Sequence, residues 1–156
     1  MLRSFMRLTA ILAIVVPAIP SWAAMEPENV VSEINFAAKT CRERGGKPNT
    51  KAMLKVNDLN GDGAEDWIVD YKKFVCAGTT NPFCGTGGCS LQIFLWSTGS
   101  SWTLAFDEVL HGYKFAIVNG KRTMKVQFGG AACNKTNSRA CAKIYELERE
   151  RIVPMN

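Results

Sequence analysis

The residues between positions 58 and 66 carry the clearest chemistry in this sequence. Asp58, Asn60 and Asp62 offer side-chain oxygens at alternate positions, and Gly63 permits the sharp turn that follows. Beyond that turn, a backbone carbonyl and a further carboxylate complete a set of hard oxygen ligands of the kind that calcium prefers. The pattern therefore predicts a calcium site with the ligands Asp58, Asn60, Asp62, the carbonyl of Ala64, and Asp66.

Two other interpretations of this loop compete with calcium. Asn-Gly and Asp-Gly pairs also form tight polar turns that hold no metal, but a turn alone does not require Asp at both the first and the ninth position. Magnesium prefers an octahedral shell that keeps several waters over a cage of protein oxygens. Calcium binding is the favoured interpretation of the loop for these reasons.

The elements that position the loop are predicted to be strands. Alternate residues point to opposite faces from 52 to 57 and from 67 to 72, which indicates two strands joined by the loop as a hairpin. An EF-hand loop would need Glu at its twelfth position and a following helix, whereas Val69 stands there inside the second strand. The sequence therefore predicts a hairpin metal site and not an EF-hand.

The loop is similar to the Asp-x-Asn-x-Asp-Gly-x-x-Asp loops of FG-GAP, VCBS and related β repeats, in which the ion lies in a β-hairpin connection. This resemblance spans Asp58 to about Val69 and implies the same ligands, with Glu65 directed to solvent. The chain holds a single copy, so the propeller fold and adhesive functions of those repeats do not transfer.

A wider resemblance is to a group of small exported proteins of proteobacteria to which no activity is assigned. It is carried by the loop together with the segments Asp66–Tyr71 and Phe83–Cys89. The resemblance implies a periplasmic address and a glycine loop closed by a disulfide.

The N-terminal residues follow the pattern of a secretory signal. Arg3 and Arg7 precede the apolar run Leu8–Ile19, which is shorter than the roughly 20 residues of a membrane span, and small residues follow it. We expect a signal peptide at 1–24 and one disulfide-stabilised domain at 25–156, soluble in the periplasm or secreted. Removing the two signal arginines lowers the net charge from +5 to +3, and the basic residues are scattered, which argues against nucleic acid as a partner.

Six cysteines after a secretion signal predict three disulfides. The count alone allows many pairings, so the connectivity stays open. Proximity favours the short loops first, which gives the pairs Cys84 with Cys89, Cys133 with Cys141, and Cys41 with Cys76. A zinc or redox site is disfavoured because the sequence has no Cys-x-x-Cys and a single histidine, His111.

The periodicity along the chain predicts an α+β fold, with one N-terminal helix on a mainly antiparallel β-sheet or small barrel, stapled by disulfides. Apolar residues recur at helical spacing from Val30 to Cys41, and Gly45 ends that pattern. Later alternating runs predict hairpins, the clearest of them around Asn119-Gly120, a favoured two-residue turn. The predicted later strands are 90–96, 102–107, 114–118, 121–128, 142–148 and 151–154.

These observations favour a non-enzymatic binding domain of the bacterial envelope in which calcium is mainly structural, and a protein inhibitor belongs to this class. The partner would be an envelope protein or polysaccharide. The alternative is a calcium-dependent hydrolase of envelope polysaccharide. It would need a cleft that joins Asp70, Glu108 or His111 to the loop, because hydrolysis requires acid and base groups around one bond.

Overall fold

A computed structural model of the chain describes residues 26–99, 101–133 and 140–155. The predicted signal peptide, residues 1–24, lies outside these ranges. Across the described ranges, no helix has both the length and the apolar character needed to cross a bilayer.

The predicted N-terminal helix is confirmed as α1, Glu28–Glu43. Pro27 precedes it, and the Pro27 carbonyl accepts the first helical hydrogen bond. The missing N–H of proline costs nothing at this position, because an N–H at the start of a helix has no partner within the helix. Val30 and Cys41 lie on the buried face, as the spacing predicts. The helix ends where Gly45 adopts a φ of 77°, a left-handed conformation that glycine tolerates well.

The described residues also form eleven strands, and every pairing between them is antiparallel. The strands are β1 Lys47–Asn49, β2 Leu54–Asn57, β3 Asp66–Asp70, β4 Val75–Ala77, β5 Cys84–Gly85, β6 Gly88–Ser97, β7 Ser101–Leu110, β8 Gly112–Val118, β9 Lys121–Phe128, β10 Cys141–Leu147 and β11 Ile152–Pro154.

Two main sheets hold the core between them. The first runs β2-β3-β6-β5 with β7 on the other side of β6, and the second runs β11-β10-β9-β8. Ile93 and Leu95 of the first sheet pack with Val126 and other residues of the second. The opposite face of the first sheet packs against α1 through Trp67 and neighbouring residues. Each main sheet thus buries one face against the other, and the first is covered on both faces.

The α+β fold is therefore confirmed, and of the two predicted forms of the sheet the structure takes the open one. Within the described residues the strands do not close into a barrel, because β2 and β8 are the ends of their sheets and do not pair with each other. The short strands β1 and β4 form a separate small sheet that sequence periodicity did not predict.

Two predicted strand boundaries were wrong, and in both places a turn of 3-10 helix replaces strand. Lys51–Met53 is helical, so β2 begins only at Leu54 and Met53 packs, fully buried, among residues of α1 and β3. Tyr71–Lys73 is also helical, because the Asp70 carboxylate accepts a hydrogen bond from the Lys72 N–H and turns the chain. A side chain that bonds to nearby backbone competes with the sheet ladder.

The hairpin around Asn119-Gly120 is confirmed. Asn119 has a φ of 52° and Gly120 a φ of 76°, the positive angles that a type I′ turn needs. The hairpins β6–β7 and β10–β11 also form where the alternating patterns predict them.

Three disulfides close the fold, with the pairing that proximity favours. Cα separations of 5.7, 4.1 and 5.9 Å join Cys41 to Cys76, Cys84 to Cys89, and Cys133 to Cys141. The first disulfide is buried and ties α1 to β4, and the second joins β5 to β6. Three disulfides are typical of proteins from oxidising compartments.

Candidate functional site

The predicted metal loop connects β2 and β3 as a hairpin. The last pair of the ladder joins Asn57 to Asp66, and the residues between them form the loop. Gly61 and Gly63 each adopt a φ of 87°, a conformation that side chains with a Cβ rarely take. The two glycines thus allow the tight curvature that brings alternate side chains to one side.

The three polar side chains at alternate positions fold back over the loop. Asp58 accepts hydrogen bonds from the N–H groups of Gly61 at 2.6 Å and Gly63 at 3.2 Å. Asn60 accepts one from the N–H of Asp62 through its Oδ1 at 3.0 Å. Asp62 accepts one from the N–H of Ala64 at 2.8 Å. The loop amides therefore hold these three side chains in place.

Asp66 is the most buried charged residue of the loop, with no exposed surface. Its Oδ2 accepts from the Leu59 N–H at 2.8 Å, and its Oδ1 accepts from the Trp96 N–H at 2.9 Å. Burial raises the pKa of the Asp66 carboxyl above its ordinary value and outweighs these hydrogen bonds, which lower the pKa. The nearby Asp62 charge raises it further. Asp66 thus joins the loop to β6, a role that the sequence did not predict.

The donor chemistry of the loop fits a hard cation. Its side chains present only oxygens, and a carboxylate has about four lone-pair sites, so the hydrogen bonds of Asp58 and Asp66 leave some of them free. A cation near Asp62 and Asp66 would also relieve the repulsion between these carboxylates. Over the part of the chain that the structure describes, no group of three or more His, Cys, Asp or Glu is gathered at metal-binding distance. The loop is held instead by its own amides.

Two contacts from the second sheet hold the loop, and no sequence pattern predicts either of them. Arg122 of β9 donates from Nη1 to the Asp58 carbonyl at 3.1 Å, and its guanidinium fills the space beside Gly61. Asn60 donates from Nδ2 to the Arg149 carbonyl at 2.8 Å. The partners of these contacts are 64 and 89 residues apart in sequence, so no local pattern signals them. Any cation in this loop would share it with the Arg122 charge.

The outer side of the loop borders a cleft of about 200 Å³ that Trp96 and Thr98 also line. Trp102 donates from Nε1 to the Glu65 carbonyl at 2.7 Å, and its ring meets Trp96 edge-on at 4.5 Å between centroids. Glu65 itself is exposed. The two tryptophans therefore pack the hairpin β6–β7 against the loop.

The other candidate polar residues lie away from the loop. Asp70 is almost fully buried and lines one cleft, His111 lines another, and neither of these two clefts includes a residue from 58 to 66. Glu108 is exposed on β7. The structure therefore does not bring these groups together with the loop around one bond.

Comparison with known protein families, curated proteins and solved structures finds no match to this chain. What defines its class is the fold itself: one helix packed on antiparallel sheets, held by three disulfides.

Proposed function

We propose that this protein is an exported calcium-binding domain of the bacterial envelope that binds a partner without catalysing a reaction. The observation that carries the proposal is the loop from 58 to 66, whose side-chain oxygens are held by hydrogen bonds and which is joined to both sheets. The three disulfides support an oxidising compartment, and the predicted signal peptide makes the periplasm or the exterior the proposed location.

The proposed ligands of the ion are those of the sequence pattern. Asp58, Asn60 and Asp62 would each supply a side-chain oxygen, with the Ala64 carbonyl and the Asp66 carboxylate completing the shell. The bound ion would supply positive charge near Asp62 and Asp66, whose carboxylates repel each other. The residues themselves hold the hairpin in register and connect it to β6 and to the second sheet.

The position of the loop supports a structural role for calcium. Asp66 joins it to Trp96 in β6, and Arg122 joins it to β9, so stiffening the loop stiffens the contact between two sheets. Extracellular sites of moderate affinity stay filled where calcium is abundant. The ion would therefore stabilise the domain at all times rather than report changes in concentration.

The partner we propose is an envelope protein or polysaccharide, and inhibition of an envelope enzyme is one form that such binding takes. The alternative, a calcium-dependent hydrolase, has no observation in its favour, since Asp70 and His111 line clefts separate from the loop.

Calcium titration of chelator-treated protein tests the proposal. Isothermal calorimetry should show one site, and calcium should raise the melting temperature. Asp58→Asn should weaken binding strongly, whereas Glu65→Gln, which removes the same charge from an exposed neighbour, should not. Absence of both heat and a melting shift in the wild-type protein would refute the calcium site.

A further inference from the structure

The side of the molecule between β2 and β8 is an open seam. The two strands are the ends of their sheets, and side chains rather than a backbone ladder bridge them. Lys55 of β2 lies over the Tyr113 ring of β8 with its Nζ 5.7 Å from the centroid. At this end of the seam lies a cleft of about 240 Å³. Its polar lining comprises Lys55, Asp70, Lys72, Lys73, Ser90 and Tyr113.

Positive charge dominates this seam cleft. Three lysines line it, against a single acidic residue, Asp70. Among the described residues, none of these lysines forms an ion pair with a carboxylate. Lys72 donates from Nζ to the His111 carbonyl at 2.9 Å, and Lys55 donates to the Tyr113 hydroxyl at 3.5 Å. These contacts hold two of the charges in place without neutralising them.

The single carboxylate of the seam cleft, that of Asp70, accepts hydrogen bonds from two neighbouring groups. Asp70 is only 5% exposed, and its oxygens accept from the Lys72 N–H at 3.1 Å and from the Tyr113 hydroxyl at 3.1 Å. Burial, together with the Asp70 charge, raises the pKa of the Tyr113 phenol, so the phenol keeps its proton and donates a hydrogen bond to Asp70. The Asp70 carboxylate is therefore occupied by these two hydrogen bonds and does not pair with the lysine side chains of the cleft.

We propose that the seam cleft binds the anionic group of an acidic ligand, a carboxylate or a sulfate, on Lys55, Lys72 and Lys73. The like charges repel one another in the free protein, and an oxyanion would neutralise them while the Tyr113 ring forms one wall. The volume suits one charged group or ring rather than a large ligand. This inference rests on the proposed binding role and names the ligand chemistry for it.

The test uses three probes on the full domain: D-galacturonate, D-galactose as its neutral counterpart, and sulfate. We expect saturable binding of galacturonate or sulfate that weakens as salt is added, and no binding of galactose. Whichever anion binds more tightly shows whether the site prefers a carboxylate or a tetrahedral oxyanion. Equal binding of galactose and galacturonate, or no saturable binding of either anion, would overturn the proposal.

Charge variants locate the site. The double variant Lys55→Gln with Lys72→Gln should lose roughly tenfold or more in anion affinity, while Lys125→Gln, an exposed position on β9, should leave it unchanged. Tyr113→Phe keeps the ring but frees an Asp70 oxygen toward the cleft, and should weaken binding several-fold. Wild-type affinity in the double variant would place the anion elsewhere and refute the assignment.

The anion titrations are run both with calcium and with chelator, which separates the two proposals. Failure of calcium binding with intact anion binding would refute only the calcium site. Loss of anion binding under both conditions, with calcium binding intact, would refute only the seam cleft.

Discussion

Replacing Asp66 by Asn should destabilise the domain even when no calcium is present. The carboxylate is fully buried and accepts two backbone hydrogen bonds, at 2.8 Å from Leu59 and at 2.9 Å from Trp96. Asparagine offers one oxygen and one NH₂ group in the same place. One of the two backbone N–H groups would then face another donor.

The expected magnitude follows from these two contacts. Losing one hydrogen bond to a charged group costs about 1.5–3 kcal/mol, and a buried unsatisfied donor costs about 1–3 kcal/mol. Removing the buried charge returns part of this, because burial already raises the pKa of the Asp66 carboxyl. We expect a net loss of about 2–4 kcal/mol. In a domain of this size that corresponds to a fall of roughly 10 °C in melting temperature.

Differential scanning calorimetry in the presence of a chelator measures this loss without any contribution from the ion. Glu65→Gln is the matched control, because the Glu65 carboxylate is adjacent and exposed. This variant should melt within about 1 °C of the wild type. Repeating the scans with calcium should widen the gap between Asp66→Asn and the wild type, because only the wild type gains the full stabilisation by the ion. Melting of Asp66→Asn within about 2 °C of the wild type in chelator would show that the two hydrogen bonds do not stabilise the loop.

Three further predictions concern the rest of the fold. In limited reduction followed by alkylation and mass spectrometry, the buried Cys41–Cys76 disulfide should react last. Replacing both cysteines by Ala should lower the free energy of unfolding in urea by about 4 kcal/mol. Early reaction of this disulfide, or an unchanged urea midpoint, would contradict the prediction. Gly88→Ala should lower the free energy of unfolding, measured in urea, by more than about 2 kcal/mol, because a φ of 117° and the adjacent β7 backbone exclude a Cβ. An unchanged urea midpoint would contradict this prediction. Hydrogen bonds, above all from the Thr98 N–H, lower the pKa of Glu150 below its ordinary 4.5, so the ionised carboxylate stabilises the fold at pH 7 and this stabilisation disappears as the pH falls below 4.5. Glu150→Gln should therefore be less stable than the wild type at pH 7 and equally stable in acid. A difference in stability that persists in acid would refute this assignment.

Much of the fold could be predicted because local patterns encode it. Helical spacing places Val30 and Cys41 on one face of α1, and the Asn119-Gly120 pair determines its hairpin. The alternation failed at Met53, where a 3-10 turn buries a residue that the strand pattern directs to the opposite face from Leu54. Burial there is decided by α1, which packs on the same side of the sheet.

The sequence by itself determined which residues could bind a cation, that six cysteines pair, and where most hairpins turn, because spacing and turn chemistry act between neighbours. Only the tertiary structure decided that Asp66 is buried beneath Trp96 and that Arg122 lies against the loop. It also gathered Lys55, Lys72 and Tyr113 around one cleft. The order and packing of the sheets bring these residues together across long stretches of chain, and no local periodicity specifies that order.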